Sequence, residues 1–362
     1  MITIGNIYDD IDSFAPFSTA LGFDNVGLLV GSRKDPVERI LVALDITPAV
    51  IEEAKRQGAQ LIVSHHPVIF QPLRRLSRDS IPYQLAQSGI GAVCAHTNLD
   101  MARGGVNDCL GETLGLKNLS CFVEESSVPY WKIAVFVPVN DAQKVTDAMA
   151  KAGAGKLGQY EACSFTVQGK GAFLPQEGAH PAIGQCGMLE KVDECRVEML
   201  CSPDDLPSVL EAMRETHPYE EPAFDVIKNY GVMKQFPGAM VGEWEIPMQP
   251  REFVAHVKER LHCEGVRYVE GTRPIKRVAF CGGAGGDRIF EAIAGNVDAY
   301  VTGEMKHHEW LAASQSELTV VDAGHFKTET IIVARLVQRL SKHFPQICVE
   351  ASETCTDGVH YL

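Results

Sequence analysis

ILVALDITPAVIEEAKRQGAQLIVSHHP, residues 40–67, decides the fold. Its first seven residues are an apolar run of strand type. PAVIEEAKRQG (48–58) has helical spacing and ends on a glycine stop, and LIVSHHP (61–67) is a second apolar run closed by Pro67. Two buried strands joined by one helix read as a parallel β-α-β unit. Such crossovers are right-handed and bring the C-terminal ends of the strands to one edge of the sheet. The pattern continues outward, with IPYQLAQSG (81–89) a helix and IGAVCAH (90–96) a third strand.

The last third repeats this alternation. RVAFCGG (277–283) precedes a glycine-rich loop and the helix DRIFEAIAG, and DAYVTG (298–303) precedes EMKHHEWLAASQ. LTVVDAG (318–324) precedes the helix TETIIVARLVQRLSKHF (328–344). The middle third differs. WKIAVFVPVNDAQKVTDAMAKAG (131–153) and CRVEMLCSPDDLPSVLEAMRETHP (195–218) both read strand, Asn/Asp start, helix. With YEACSFTVQG (160–169) and AFDVIKN (223–229) they make two β-α-β halves of ferredoxin-like type. PQEGAHPAIGQCG (175–187) reads as a solvated insertion. The expected fold is therefore α/β. Residues 1–127 and 233–362 are the two halves of one composite body, and residues 128–232 form an inserted α+β domain.

Composition bounds the function. Of 362 residues 45% are hydrophobic and 22% charged, which is ordinary globular usage. Lys plus Arg is 33 against 47 Asp plus Glu, a net charge of −14. An acidic surface argues against a sequence-independent grip on nucleic acid. No apolar run reaches the roughly 18 residues of a membrane span, and MITIGNIYDDIDSF has no signal-peptide build. The expectation is a cytoplasmic protein whose eleven cysteines are reduced thiols.

Chemistry gathers at strand ends. His65 and His66 end one strand, Asp100 follows the next within HTNLD (96–100), and His325 and Glu329 stand four apart beyond a third. Each signal alone has a plain structural reading: a surface turn, a capping Asp, an exposed i,i+4 pair. Together, three histidines and two carboxylates exceed one ordinary zinc site and suit two adjacent metals sharing a bridging carboxylate. His with carboxylate accepts Zn, Mn, Fe, Co or Ni. His307 and His308, with Glu304 and Lys306 beside them, follow DAYVTG at the same edge and are candidates for proton transfer. His96 is either an orienting partner of Asp100 or a satisfied core histidine. The loop Gly282-Gly283-Ala284-Gly285-Gly286 is either a phosphate cradle or a chain turn. HPYEEP (217–222) reads as a domain-edge turn.

FDNVGLLVG (23–31), LIVSHHP, HTNLD, HPYEEPAFDV (217–226), DAYVTGEMKHHE (298–309) and GHFKTE (324–329) together resemble the NIF-three-like family, whose members are labelled type 2 homologues of GTP cyclohydrolase I. The resemblance covers nearly the whole chain, and the middle segment is similar to small trimeric signalling and metal-tolerance proteins. It implies a dinuclear metal centre with His65, His66, Asp100, His325 and Glu329 as ligands. His66 would pair with Asp100 on one metal and His65 with His325 on the other, with Glu329 as the bridge. It also implies a toroidal homohexamer with sites facing an internal cavity. The implied activity is metal-dependent hydrolysis, in its narrow form GTP ring opening with formate release on a small nucleotide. The alternatives are a phosphoesterase or amidohydrolase acting on another small metabolite, or a non-catalytic metal-bearing regulatory ring.

Overall fold

A computed structural model describes all of residues 1–362. The chain divides into two compact units, Met1–Ser126 with Phe236–Leu362, and Ser127–Gln235. No helix is long and apolar enough to cross a membrane, and all eleven cysteines are free thiols.

The larger unit holds two sheets. The first has the order Gly27–Val30, Gly91–Cys94, Leu61–Ser64, Arg39–Ala43, Cys348–Ala351. Its last four strands run parallel, and Gly27–Val30 is the antiparallel edge. The helix Pro48–Gln57 makes the expected crossover. Thr47 caps it by accepting from Val50 N at 3.3 Å, Pro48 opens it, and Gly58 closes it at φ 70°. Its Val50, Ile51 and Ala54 are fully buried against Leu41, Ile62 and Ala92. Burying each branched side chain of this kind contributes roughly 1.5–3 kcal/mol.

In the second sheet Ile275–Phe280, Ala299–Thr302 and Thr319–Asp322 run parallel. They are flanked antiparallel by the end of Phe224–Met248 on one side and Arg267–Val269 on the other. The helix Val106–Leu114 joins the two cores. Its Val106 packs with Val42, Leu61, Ile332 and Leu336, and its Leu110 with Phe253, Val278 and Phe280. The single helix expected over 328–344 is two, His325–Glu329 and Ile331–His343, which meet at Thr330.

Residues 127–235 follow strand, helix, strand, strand, helix, strand. Ser164–Phe173 pairs antiparallel with Glu190–Cys201, and Glu190–Cys201 pairs with residues 131–138 of Lys117–Pro138. The helices Ala142–Lys151 and Leu206–Thr216 cover one face, where Val145, Met149, Val209 and Met213 bury against Val135, Val137, Val197 and Met199. Asp141 and Asp205 stand at the N-caps, yet neither side chain makes the capping bond. The second strand of this unit begins four residues later than YEACSFTVQG suggests and extends through Phe173.

Candidate metal centre

Backbone pairing carries the first sheet past its last strand residues. His65 N donates to Ala43 O and His66 N to Leu44 O, so both histidines leave the strand end on a fixed backbone. On a regular strand their rings would face opposite ways. The turn at Pro67 instead leaves the ring centroids 5.0 Å apart. The second sheet delivers His325 and Glu329 from its own edge. Gly324, at φ 87°, reverses the chain after Thr319–Asp322 and starts the helix His325–Glu329.

Glu329 lies at the centre. Its Oε2 is 3.0 Å from His66 Nε2, 3.1 Å from His325 Nε2 and 3.8 Å from His65 Nε2. His65 Nε2 is 3.3 Å from Asp100 Oδ1. None of these contacts lies on a hydrogen-bond axis. His65 Nε2, Asp100 Oδ1 and Glu329 Oε2 are therefore buried polar atoms without partners. An orphaned buried polar atom ordinarily costs about 1–3 kcal/mol, and three that converge on one point call for a cation between them. The donor set, imidazole nitrogen and carboxylate oxygen, suits a divalent transition metal.

The other ring nitrogens are committed. His65 Nδ1 stands 2.9 Å from the carbonyl of Ala95, which only accepts. The proton therefore sits on Nδ1, and Nε2 presents its lone pair to the site. His66 Nδ1 contacts Asp45 Oδ1 at 2.7 Å and His325 Nδ1 contacts Glu304 Oε2 at 3.3 Å. Carboxylates and carbonyls behind the rings are the usual support of metal-ligating histidines. Replacing Asp45 by Asn is accordingly expected to weaken metal binding about 10–100-fold with the fold retained. Competition with a chromophoric chelator measures it, and an unchanged affinity would remove Asp45 from the site.

The electrostatics point the same way. Burial works against charging His65, but Asp100 and Glu329 outweigh it and hold the ring well above the ordinary imidazole range. His325 is raised to about 9, chiefly by Glu329. Burial would raise Glu329, yet His325, His65 and His66 hold it well below the usual carboxylate range. The carboxylates thus attract positive charge to this spot, and protons on the rings supply it when no cation does.

His65, Asp100 and Glu329 bring their ligand atoms within 4.8 Å of one another, and so do His66, His325 and Glu329. This reverses the expected split. Asp100 groups with His65 and not His66, and His325 groups with His66 and not His65. Glu329 remains common to both groups.

Other expectations resolve differently. His96 does not orient Asp100. Its Nδ1 contacts Asp24 Oδ1 at 3.0 Å, while Thr97 donates to Asp24 Oδ2 from N and Oγ1. Burial would raise Asp24, but these bonds hold its carboxyl well below the usual range. The His96 ring joins His65 and His66 as a third cluster. FDNVGLLVG carried Asp24, and only its spatial meeting with HTNLD gives that residue a task. His307 and His308 open the helix His307–Ser314 as exposed residues. Neither lines the cavity beside the site, and His308 stacks on Phe290.

The glycine loop turns its amides inward. Gly282 N donates to Asn107 Oδ1 and Gly283 N to Thr328 Oγ1. Its role is proximity, since a Cβ on Gly283, at φ 59°, would sit 2.0 Å from Glu329 Oε1. Cys281 lines the same cavity, but burial pushes its thiol up, away from the thiolate a metal would want. The cavity is about 480 Å³ and is lined by Leu21, Phe23, His96, Asp100, Arg288, His325 and Glu329 among others.

The profile of Duf34/NIF3 (NGG1p interacting factor 3) matches residues 2–357. A Halalkalibacterium halodurans protein named GTP cyclohydrolase 1 type 2 homolog is 35% identical over 336 residues, covering 91% of this chain and 90% of its own. A Bacillus subtilis protein of the same name is 36% identical over 361 residues, covering 97% and 96%. Among solved structures, a Bacillus cereus protein related to NIF3 superposes over the full length of both chains, at 34% identity and a TM-score of 0.85. A Staphylococcus aureus protein superposes over 99% of both, at 30% identity and a TM-score of 0.71.

Proposed function

Since the chain belongs to the Duf34/NIF3 family, we propose that its histidine–carboxylate cluster is a dinuclear divalent-cation centre of a hydrolase acting on a small ring-bearing metabolite. The observation that carries this reading is Glu329, whose Oε2 lies 3.0 to 3.8 Å from three imidazole nitrogens and belongs to both ligand groups. His65 and Asp100 would hold one cation, His66 and His325 the other, with Glu329 between them. Two such cations, when bound, lower the pKa of a water toward about 7 and polarise a substrate oxygen.

The remaining residues support one class of substrate. Phe23 and Phe70 lie 6.2 Å apart between centroids, and Phe70 is 6.4 Å from His96. Flat aromatic surfaces beside the centre favour a planar ring. His96, with Nδ1 held by Asp24, keeps Nε2 free to accept and return a proton at the cavity wall. The cavity offers little to a triphosphate. Its Arg288 is engaged by Glu125, Asp287 and Glu291, and Asp287 and Glu125 line it as well. GTP ring opening is the narrower reading, supported by the names of the relatives. An amide-bearing ring of lower negative charge is the one the cavity favours.

The deciding experiment loads the purified chain with Zn, Mn, Fe, Co or Ni. It then assays GTP, guanosine, cyclic amides and phosphoesters for ring opening or hydrolysis. Metal-dependent turnover of a ring substrate, absent in Glu329→Gln, is expected. Silence across all four classes in a fully metallated protein would favour a non-catalytic ring instead. Mass photometry of the same sample reads its assembly, for which the family resemblance supports a homohexamer.

A further inference from the structure

Residues 127–235 contain a second cavity, of about 340 Å³ and independent of the metal cluster. It lies on the sheet face that the two helices leave uncovered. Along Glu190–Cys201 the residues Cys195, Val197 and Met199 point into the helix-covered core, so Glu194 takes the opposite face. Phe136, Phe173, Tyr219 and Ala223 supply apolar walls. The loop after Phe173 closes over it, tied to the HPYEEP turn where His180 N donates to Glu220 Oε1 at 3.0 Å.

Glu194 is the unusual member. It is 9% exposed, and no basic side chain pairs with it. Its Oε1 accepts from Tyr219 OH at 3.0 Å. Burial and this bond push the Tyr219 phenol up, so the phenol remains the donor. His217 fixes Tyr219 in turn: its Nδ1 accepts from Tyr219 N, leaving Nε2–H to donate to Phe136 O. Glu194 Oε2 has no partner. It rests over Gly171, where an added Cβ would stand 2.1 Å from it. Gly171 is therefore the opening that lets a carboxylate oxygen reach the cavity. An unpaired carboxylate oxygen open to a cavity suits a positively charged N–H donor, and aromatic rings around it add attraction for positive charge.

We propose that this cavity binds a compact organic cation bearing N–H donors, an ammonium or guanidinium on a flat apolar body. Glu194 Oε2 receives the head group, Phe136, Phe173 and Tyr219 enclose the body, and Glu220 and Glu221 at the cavity wall exclude anions. A metal ion is the wrong occupant, because no metal-holding group of His, Cys, Asp or Glu forms in this unit. The volume is at the small end of ligand sites.

Titration calorimetry on the full chain tests this with phenethylammonium, phenylguanidinium and the neutral 2-phenylethanol. Both cations are expected to bind at least about tenfold more tightly than the alcohol, a difference of about 1.4 kcal/mol. Glu194→Gln keeps an acceptor for Tyr219 and is expected to abolish that preference while metal content is unchanged. Gly171→Ala, which places a methyl against Oε2, should do the same and serves if the first variant fails to fold by circular dichroism. Equal affinity for cation and alcohol, no binding of either cation, or an undiminished preference in a folded variant would overturn the proposal.

Discussion

Glu329→Gln is expected to lose both metals, whereas His325→Ala should lose chiefly one. The substitution keeps the volume of a side chain that is 4% exposed but removes the charge that would offset the two proposed dications. This carboxylate is the one residue common to both ligand groups, so its loss weakens both. A supporting residue behind a ligand is worth about 10–100-fold in affinity, and a shared ligand should exceed that. His325 is a neutral donor to one group only. The fold should persist in both variants, because Ile331–His343 is anchored by Ile332, Leu336 and Leu340, all fully buried. Mass-spectrometric metal analysis beside circular dichroism decides it. A full pair of metals in Glu329→Gln would show that the carboxylate is no bridge.

Gly283→Ala should empty the site as completely without replacing any of the five cluster residues. Two costs act at once. The backbone sits at φ 59°, where a side chain costs about 1–2 kcal/mol, and the new methyl meets Glu329 Oε1 at 2.0 Å and His325 Nε2 at 3.3 Å. The carboxylate must swing away, and the common ligand leaves both groups. Gly58→Ala separates the causes, since Gly58 has a similar φ of 70° and nothing within 4 Å of an added Cβ. It should lose only the backbone cost of about 1–2 kcal/mol and no metal. Full metal content in folded Gly283→Ala would mean that Glu329 has other room.

Much of this was legible beforehand because it is locally encoded. Apolar runs over 40–46, 61–64 and 277–280, separated by capped helices, specify parallel strands. Strand ends then specify which residues reach the site edge, and His65, His66, Asp100, His325 and Glu329 did reach it together. The same rule placed His307 and His308 there too, and they face solvent on a helix's first turn. A strand end fixes an address but not the direction of the next side chain.

The sequence by itself determined the α/β class, the family and the residues that form the cluster, since each depends on periodicity or on motifs within a few positions. Only the tertiary structure decided how those residues combine. Asp100 belongs with His65, His96 leans on Asp24, His66 leans on Asp45, and Cys348–Ala351 returns to lie beside Arg39–Ala43. These pairings turn on ångström-scale side-chain directions between residues far apart in the chain, which packing sets and local spacing does not encode.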